Sequence, residues 1–520
     1  MLRALLLVFF AVVPGVARAQ WYEASSAHFI VYSQERPEGL KQFAENLEKF
    51  DQAVRIMRNL PNDPVPPSAR LTVYVLGSVN AVGNLAGNDN VAGFYSGRAS
   101  GSVAFVPRYA GADRFDLNSQ QILFHEYAHH LMLSAFANSA FPSWLIEGWA
   151  EFHATATFER TGSVMFGRPP YYRAEGILLD QRSLPLARML SGDTDKMTDT
   201  QTNVMYGRGW ALVHFFTFEA ARGPQFSSYI KGINEGKTPV EAMTAFGDVR
   251  TLERELDRYV GKRFMTGREV KKDELRIGEV RIRQLTDGEA ATMRSRMQTK
   301  RGVNEKTAPG VYAAARKAAA PFPNDPGAQI VLAETAFDAG DYAETLAACE
   351  RALAVQPNSI DALLFKAKAR MAIAVRDKDM SKPTWTSIRK SIIAANRVDN
   401  DHPETLILYF RSFVDAGVEP SETAKDGLYR AFTLVPQDRR LRMTAAEIFH
   451  KDGKLDVARM LLRPLAHDPH NRDMGEAATA LIAMMDAEEK RKGTGDTKPA
   501  VPGAPAPAGG TTSAEPAKKL

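Results

Sequence analysis

The sequence predicts an α+β domain followed by an all-α repeat domain, and three observations carry that prediction. Short apolar runs rich in β-branched residues, separated by turn residues, are confined to the chain before residue 110. Segments with apolar residues three and four apart take over from residue 118. Beyond about residue 305 the strand-like runs vanish, and helix-ending residues recur at a nearly constant interval.

The first residues read MLRALLLVFFAVVPGVARAQ. Arg3 precedes an apolar run at 4–13, Pro14 and Gly15 break it, and Ala17-Arg18-Ala19 offers small residues for cleavage before Gln20. A membrane span needs about 20 apolar residues, which leaves an uncleaved anchor as the weaker alternative. Residues 1–19 are therefore expected to be a signal peptide, and the mature chain periplasmic or secreted with no transmembrane span. No cysteine follows that could carry a lipid anchor.

Residues 20–265 are expected to form the first domain. HFIVYS at 28–33, RLTVYVLG at 70–77 and SVAFVPR at 102–108 read as strands. Residues 40–59 place Phe43, Leu47, Phe50, Val54 and Met57 on one helical stripe, and a proline-rich break at 61–67 follows. The Gly- and Asn-rich stretch 80–101 reads as a long loop with room for a hairpin. Helices are expected over 118–137, 143–155, 207–221 and 249–264. Strands first and helices after give an α+β unit.

The charged, weakly patterned stretch 266–305 reads as a linker, 306–488 as the repeats, and 489–520, rich in Pro, Ala, Gly and Lys, as a disordered tail. Helix ends fall at Pro323, Pro357, Asn400, Pro436 and Pro469, with one insertion expected near 377–384. Segment 329–372, with Gly340 at an inter-helix turn followed by Tyr342 and Ala343, resembles a tetratricopeptide repeat (TPR).

Composition excludes several classes of function. The 520 residues carry 66 basic and 61 acidic side chains, a net charge of +5, too small for nucleic-acid binding through a global field. A hydrophobic fraction of 44% excludes a mostly disordered chain. The one cysteine, Cys349, excludes an intrachain disulfide and cysteine-rich metal sites, and its place in a repeat helix suits a small apolar core residue.

The chemistry concentrates in two helices. HEYAH at 125–129 puts His125 and His129 one turn apart on one helix face, where two neutral imidazoles can share a zinc ion. Glu126 stands beside them, placed to reach a water on the metal, and Asn118 or Ser119 can cap the helix. A catalytic zinc takes three protein ligands. PSWLIEGWAEFHA at 142–154 supplies a third in Glu147, 18 positions after His129. Gly148 lowers helix propensity, which suggests a close backbone approach between these two helices. Glu151, one turn beyond Glu147, suits either a hydrogen bond from the outer ring nitrogen of a ligating histidine or a solvated helix surface. His130 and His153 lie off the metal-facing side.

HEYAH followed by WLIEGWAEF resembles the gluzincin zinc metallopeptidases, the clan of thermolysin and the alanyl-aminopeptidases. Trp144, Leu145, Glu147, Gly148 and Ala150 match the aminopeptidase pattern W-L-N-E-G-F-A, with Ile146 in place of the asparagine. The resemblance implies a zincin-like fold, one zinc per chain on His125, His129 and Glu147, and Glu126 as general base. It also implies Tyr206, in Tyr206-Gly207-Arg208-Gly209, as donor to the tetrahedral oxyanion, with His214 as competitor and an ordinary loop tyrosine as the plain alternative. No Gly-Ala-Met-Glu-Asn segment is present to bind a free amino terminus. The expected function is thus an exported zinc peptidase, an endopeptidase acting on peptides or proteins, with repeats for a protein partner or substrate. The alternative is an envelope interaction scaffold whose peptidase-like domain turns over little.

Overall fold

The computed structural model describes residues 20–494 apart from 63, 64, 90, 112–115, 195, 469 and 470. The expected signal peptide, Pro469 and positions 495–520 of the expected tail lie outside the described residues.

The chain opens with β1 (Tyr22–Ser25), β2 (Phe29–Ser33), α1 (Pro37–Arg58), β3 (Leu71–Leu76), α2 (Val79–Ala86), β4 (Phe94–Ser96) and β5 (Val103–Pro107). The strands predicted at 28–33, 70–77 and 102–108 pair as β2, β3 and β5, all parallel. Being central, they bury both faces, which is why they read as nearly unbroken apolar runs. Inside 80–101 the expected loop is largely ordered: α2 runs into it, and β4 forms a hairpin edge on β5.

The next segment comprises α3 (Ser119–Ala135), α4 (Ser143–Ala154), β6 (Thr157–Phe158), β7 (Val164–Phe166), α5 (Ala174–Leu178), α6 (Leu186–Leu190), α7 (Asp199–Phe218), α8 (Gly223–Asn234), α9 (Pro239–Ala242) and α10 (Val249–Val260). Asn118 caps α3 in a capping box with Gln121. One face of the sheet packs Phe29, Val31 and Val73 against α1 and α3, where Phe50 and Phe124 stack. The other face buries Tyr32, Tyr74 and Phe105 under α2.

The stretch 266–305 is not a linker. It contains β8 (Arg268–Val270), β9 (Arg281–Gln284) and α11 (Asp287–Arg301). β8 joins β6 and β7, and β9 completes the main sheet in the order β4-β5-β3-β2-β1-β9. Its charge misled because β9 is an edge strand, and edges are kept from aggregating by charged side chains such as Arg281 and Arg283. α11 covers the second sheet face through Met293.

Ten further helices follow: α12 (Ala308–Ala319), α13 (Pro326–Asp338), α14 (Tyr342–Val355), α15 (Ile360–Arg376), α16 (Lys382–Val398), α17 (Pro403–Val414), α18 (Glu422–Leu434), α19 (Arg439–Lys451), α20 (Leu455–Ala466) and α21 (Arg472–Thr494). Consecutive helices pack on one another as a helical-repeat scaffold. Left-handed residues close α13, α15, α17 and α19: Gly340, Lys378, Gly417 and Gly453, with φ of 79°, 56°, 66° and 74°. The insertion expected near 377–384 is absorbed by lengthening α15 and α16 to 17 residues each. α21 carries the fold to Thr494, into the stretch expected to be disordered. Cys349 is fully buried.

The repeats curve back onto the first domain. The Asp438 carboxylate accepts the Ala99 N–H at 2.7 Å, Gln437 donates to Ser102 Oγ at 3.2 Å, and Arg442 donates to the Ala137 carbonyl at 2.5 Å. Among the described residues no helix is long and apolar enough to cross a membrane.

Candidate metal centre

α3 and α4 carry the donors, and α7 holds α4 in place. A Cβ on Gly148 would lie 2.4 Å from the backbone of Gly209, and one on Gly209 would lie 2.7 Å from the Trp144 carbonyl. The close approach expected at Gly148 therefore exists, but its partner is α7 and not the HEYAH helix. Trp144 fixes the outer side by donating to Tyr229 Oη at 3.3 Å, and Tyr229 donates to the Leu190 carbonyl at 2.8 Å.

This packing brings His125, His129 and Glu147 together, all buried. The two histidine Nε2 atoms are 3.1 Å apart, and Glu147 Oε2 is 3.4 Å from that of His125 and 3.6 Å from that of His129. Donors at about 2.0–2.1 Å from one tetrahedral ion lie roughly 3.3 Å apart, so the set fits a zinc-sized cation. Two imidazoles and a carboxylate are also the donor chemistry zinc takes.

Glu151 is 1% exposed, which disposes of the solvated-surface alternative. Its Oε1 lies 3.6 Å from His125 Nδ1, on the side of the ring away from the donor cluster. The same oxygen accepts from Arg173 Nε and Nη2 at 3.1 and 2.9 Å, while Oε2 accepts from Tyr172 Oη at 2.7 Å. Burial by itself lowers the Arg173 guanidinium pKa, but the Glu151 carboxylate more than offsets this and holds it above its usual range. Arg173 also lies over the Tyr206 ring, 4.7 Å from its centre. Arg173 and Tyr172 escaped sequence reading because they sit on a short turn after Pro169-Pro170, where no periodicity marks a residue as buried.

Tyr206 is not at the opening of its helix. α7 starts at Asp199 with a Thr198–Gln201 capping box, and Tyr206 stands two turns inside it, buried. Its ring is nearly parallel to that of His125, centres 6.0 Å apart. Burial and then the Glu147 carboxylate beside it hold the Tyr206 hydroxyl well above its usual pKa, so it stays protonated.

The other histidines have structural partners. His214 Nδ1 bonds Tyr259 Oη at 2.7 Å and its Nε2 meets the Gly167 carbonyl at 3.1 Å, so both ring nitrogens are spent in the core. His153 sits between the Trp149 carbonyl and Arg58. His130 bonds Tyr95 Oη at 2.9 Å.

Beside the donors lies a cavity of about 220 Å³ that His125, Glu126, His129 and Tyr206 line together. Its walls come from both halves of the chain. Edge strand β4 supplies Phe94, Tyr95 and Ser96, and the repeats supply Gln437 and Arg442. That shared wall had no signal in the sequence, because it joins segments more than 300 positions apart.

No model of a known protein family matches the chain, and no curated protein matches it. Solved structures do. A thermophilic TPR protein of Thermus thermophilus, TTC0263, is 16% identical over 38% of this chain and 99% of its own, with a TM-score of 0.32. MamA is 12% identical over 39% of this chain and 96% of its own, with a TM-score of 0.25. A double mutant, MamA RS-1 ArsTM, is 11% identical over 39% and 97%, with a TM-score of 0.26.

Proposed function

We propose that the chain is an exported zinc-dependent peptidase of the gluzincin type, acting as an endopeptidase, whose helical repeats help to wall the substrate site. The observation that carries this reading is the convergence of His125 Nε2, His129 Nε2 and Glu147 Oε2 at spacings of 3.1–3.6 Å, beside a cavity lined by Glu126. Export rests on the amino-terminal sequence.

His125, His129 and Glu147 would hold the zinc, which would supply Lewis acidity toward a carbonyl and a water near neutral pH. Glu126 takes the proton from the attacking water and hands it to the leaving amine. Tyr206, kept protonated by its surroundings, donates its O–H to the developing oxyanion. Glu151 steadies the far side of the His125 ring and is itself fixed by Arg173 and Tyr172. An extended peptide can pair with β4, the sheet edge that borders the cavity, which suits an endopeptidase.

The test is Glu126→Gln. Expected is about one zinc per chain in wild type and variant alike, with cleavage of a peptide library lost by about 10²–10⁴-fold in the variant. Wild-type protein that carries zinc and cleaves nothing would overturn the reading.

A second reading makes the protein an interaction scaffold in which the repeats bind a partner and the metal centre is structural. It is favoured by the extent of the paired-helix stack, from Ala308 to Thr494. It predicts partner binding and cellular phenotype intact in Glu126→Gln.

A further inference from the structure

The cavity beside the metal donors has an excess of positive charge at the seam between the two halves. Arg98 and Arg301 line it from the first domain, and Arg439 and Arg442 from α19. Arg439 is neutralised by Asp468. The other three have no carboxylate within ion-pair distance among the described residues. Arg442 is the most enclosed, 4% exposed, and spends its Nη2 on the carbonyls of Ala137 and Pro436. Its Nη1 is buried with no hydrogen-bond partner. Arg98 Nη2 and Arg301 Nη1 donate to the backbone carbonyls of Arg301 and Ala86, Arg98 Nε donates to Ser96 Oγ at 2.9 Å, and the Arg442 guanidinium lies over the Phe432 ring, so their partners are neutral. Burial lowers all three guanidinium pKa values, that of Arg442 to about 10.

A buried guanidinium without a counter-charge is costly and persists where something else supplies the charge. We propose that this cavity holds a carboxylate of the substrate, bound by Arg442 from the repeats with Arg98 and Arg301 from the first domain, so that the enzyme selects acid-bearing peptides. That the bound acid belongs to a substrate rests on the hydrolase reading. The planar, five-donor fork of arginine matches a carboxylate. Glu126 lines the same cavity, and its carboxylate disfavours a multiply charged anion such as phosphate. The carboxylate comes from an acidic side chain or from the carboxyl terminus of the peptide.

The test measures binding to full-length Glu126→Gln protein by fluorescence anisotropy, using labelled alanine-rich hexapeptides in twin sets. One set exchanges Glu for Gln at each position, and the other exchanges a free carboxyl terminus for an amide. The acid twin is expected to bind about tenfold tighter in one set, which identifies the source of the carboxylate. Adding Arg442→Gln or Arg301→Gln should erase that preference while leaving amide binding and zinc content unchanged. Arg301→Gln answers from the first domain if Arg442→Gln disturbs folding. Equal binding of both twins in the parent, a preference that survives both arginine changes, or stronger competition by inorganic phosphate than by acetate would overturn the proposal. An acid preference without cleavage by the wild-type chain supports the carboxylate site and sinks hydrolysis; cleavage without preference does the reverse.

Discussion

Gly148 and Gly209 touch backbone to backbone where α4 crosses α7, and the contact leaves no room for a side chain on either helix. Glu147 precedes one glycine, and Tyr206 lies one turn before the other. The crossing therefore sets how far the candidate third metal donor and the candidate oxyanion donor stand from the two histidines of α3.

Gly148→Ala should accordingly both destabilise the fold and spoil the metal centre. The new methyl would sit 2.4 Å from the Gly209 carbonyl group, a backbone atom that cannot swing aside. Overpacking of this kind costs about 1–3 kcal/mol. Gly310→Ala, in α12 with nothing within 4 Å of the added Cβ, is the contrast and should stabilise by about 0.4–1 kcal/mol. Urea denaturation of the two variants, with chelator competition for zinc, checks both. A Gly148→Ala protein as stable and as zinc-tight as wild type would refute the crossing's role.

The Glu151–Arg173 pair gives a prediction about positioning. Both side chains are largely buried, and the carboxylate receives two N–H bonds from the guanidinium and one O–H bond from Tyr172. Arg173→Met leaves a buried carboxylate without its charge partner, at a cost of about 3–5 kcal/mol. Glu151→Gln keeps the shape but removes the charge facing His125, and should lower zinc affinity by about 10–100-fold. The double variant should recover part of the stability lost in Arg173→Met. A strictly additive double variant would show that the pair does not act as a unit.

Much of this was legible in the sequence, for definable reasons. The parallel strands announced themselves because both faces are apolar, and α3 because its cap, periodicity and His spacing agree. Gly148 signalled a close contact, yet a glycine does not name its partner, and the partner proved to be Gly209. Where the sequence failed, local pattern was the wrong guide. β9 is charged because it is an edge, and Arg173 is buried by helices α4 and α7, which no local pattern around it announces. The cavity wall at Gln437 and Arg442 exists only through tertiary closure.

Metal removal should loosen the first domain. His125, His129 and Glu147 link α3 to α4, and an ion binding only the folded state at about 1,000 times its dissociation constant adds about 4 kcal/mol. Chelation should therefore lower the melting temperature of wild type, and of Glu126→Gln equally, since Glu126 is outside the proposed ligand set. Glu147→Ala should melt near the chelated value with or without added zinc. Calorimetry with zinc and with chelator checks this. A wild-type melting temperature indifferent to chelator would remove the metal from the folding balance.

Asp338 yields a prediction for the repeats, with opposite sign to ordinary acid unfolding. Burial first, and then the nearby Glu334 carboxylate, push its pKa up from 3.8 to about 6, although the Thr299 hydroxyl donates to it. The folded chain thus binds this proton more tightly than the unfolded chain does. The benefit is complete below about pH 4 and is lost as pH rises through 6, an upper limit on the order of 3 kcal/mol before solvent relaxation. Asp338→Asn keeps an acceptor for Thr299 and carries no charge. It should match wild type near pH 4 and exceed it by about 1 kcal/mol at pH 8, seen as a shift in the urea midpoint. Equal midpoints at pH 8 would mean that water reaches Asp338 well enough to keep its charge inexpensive.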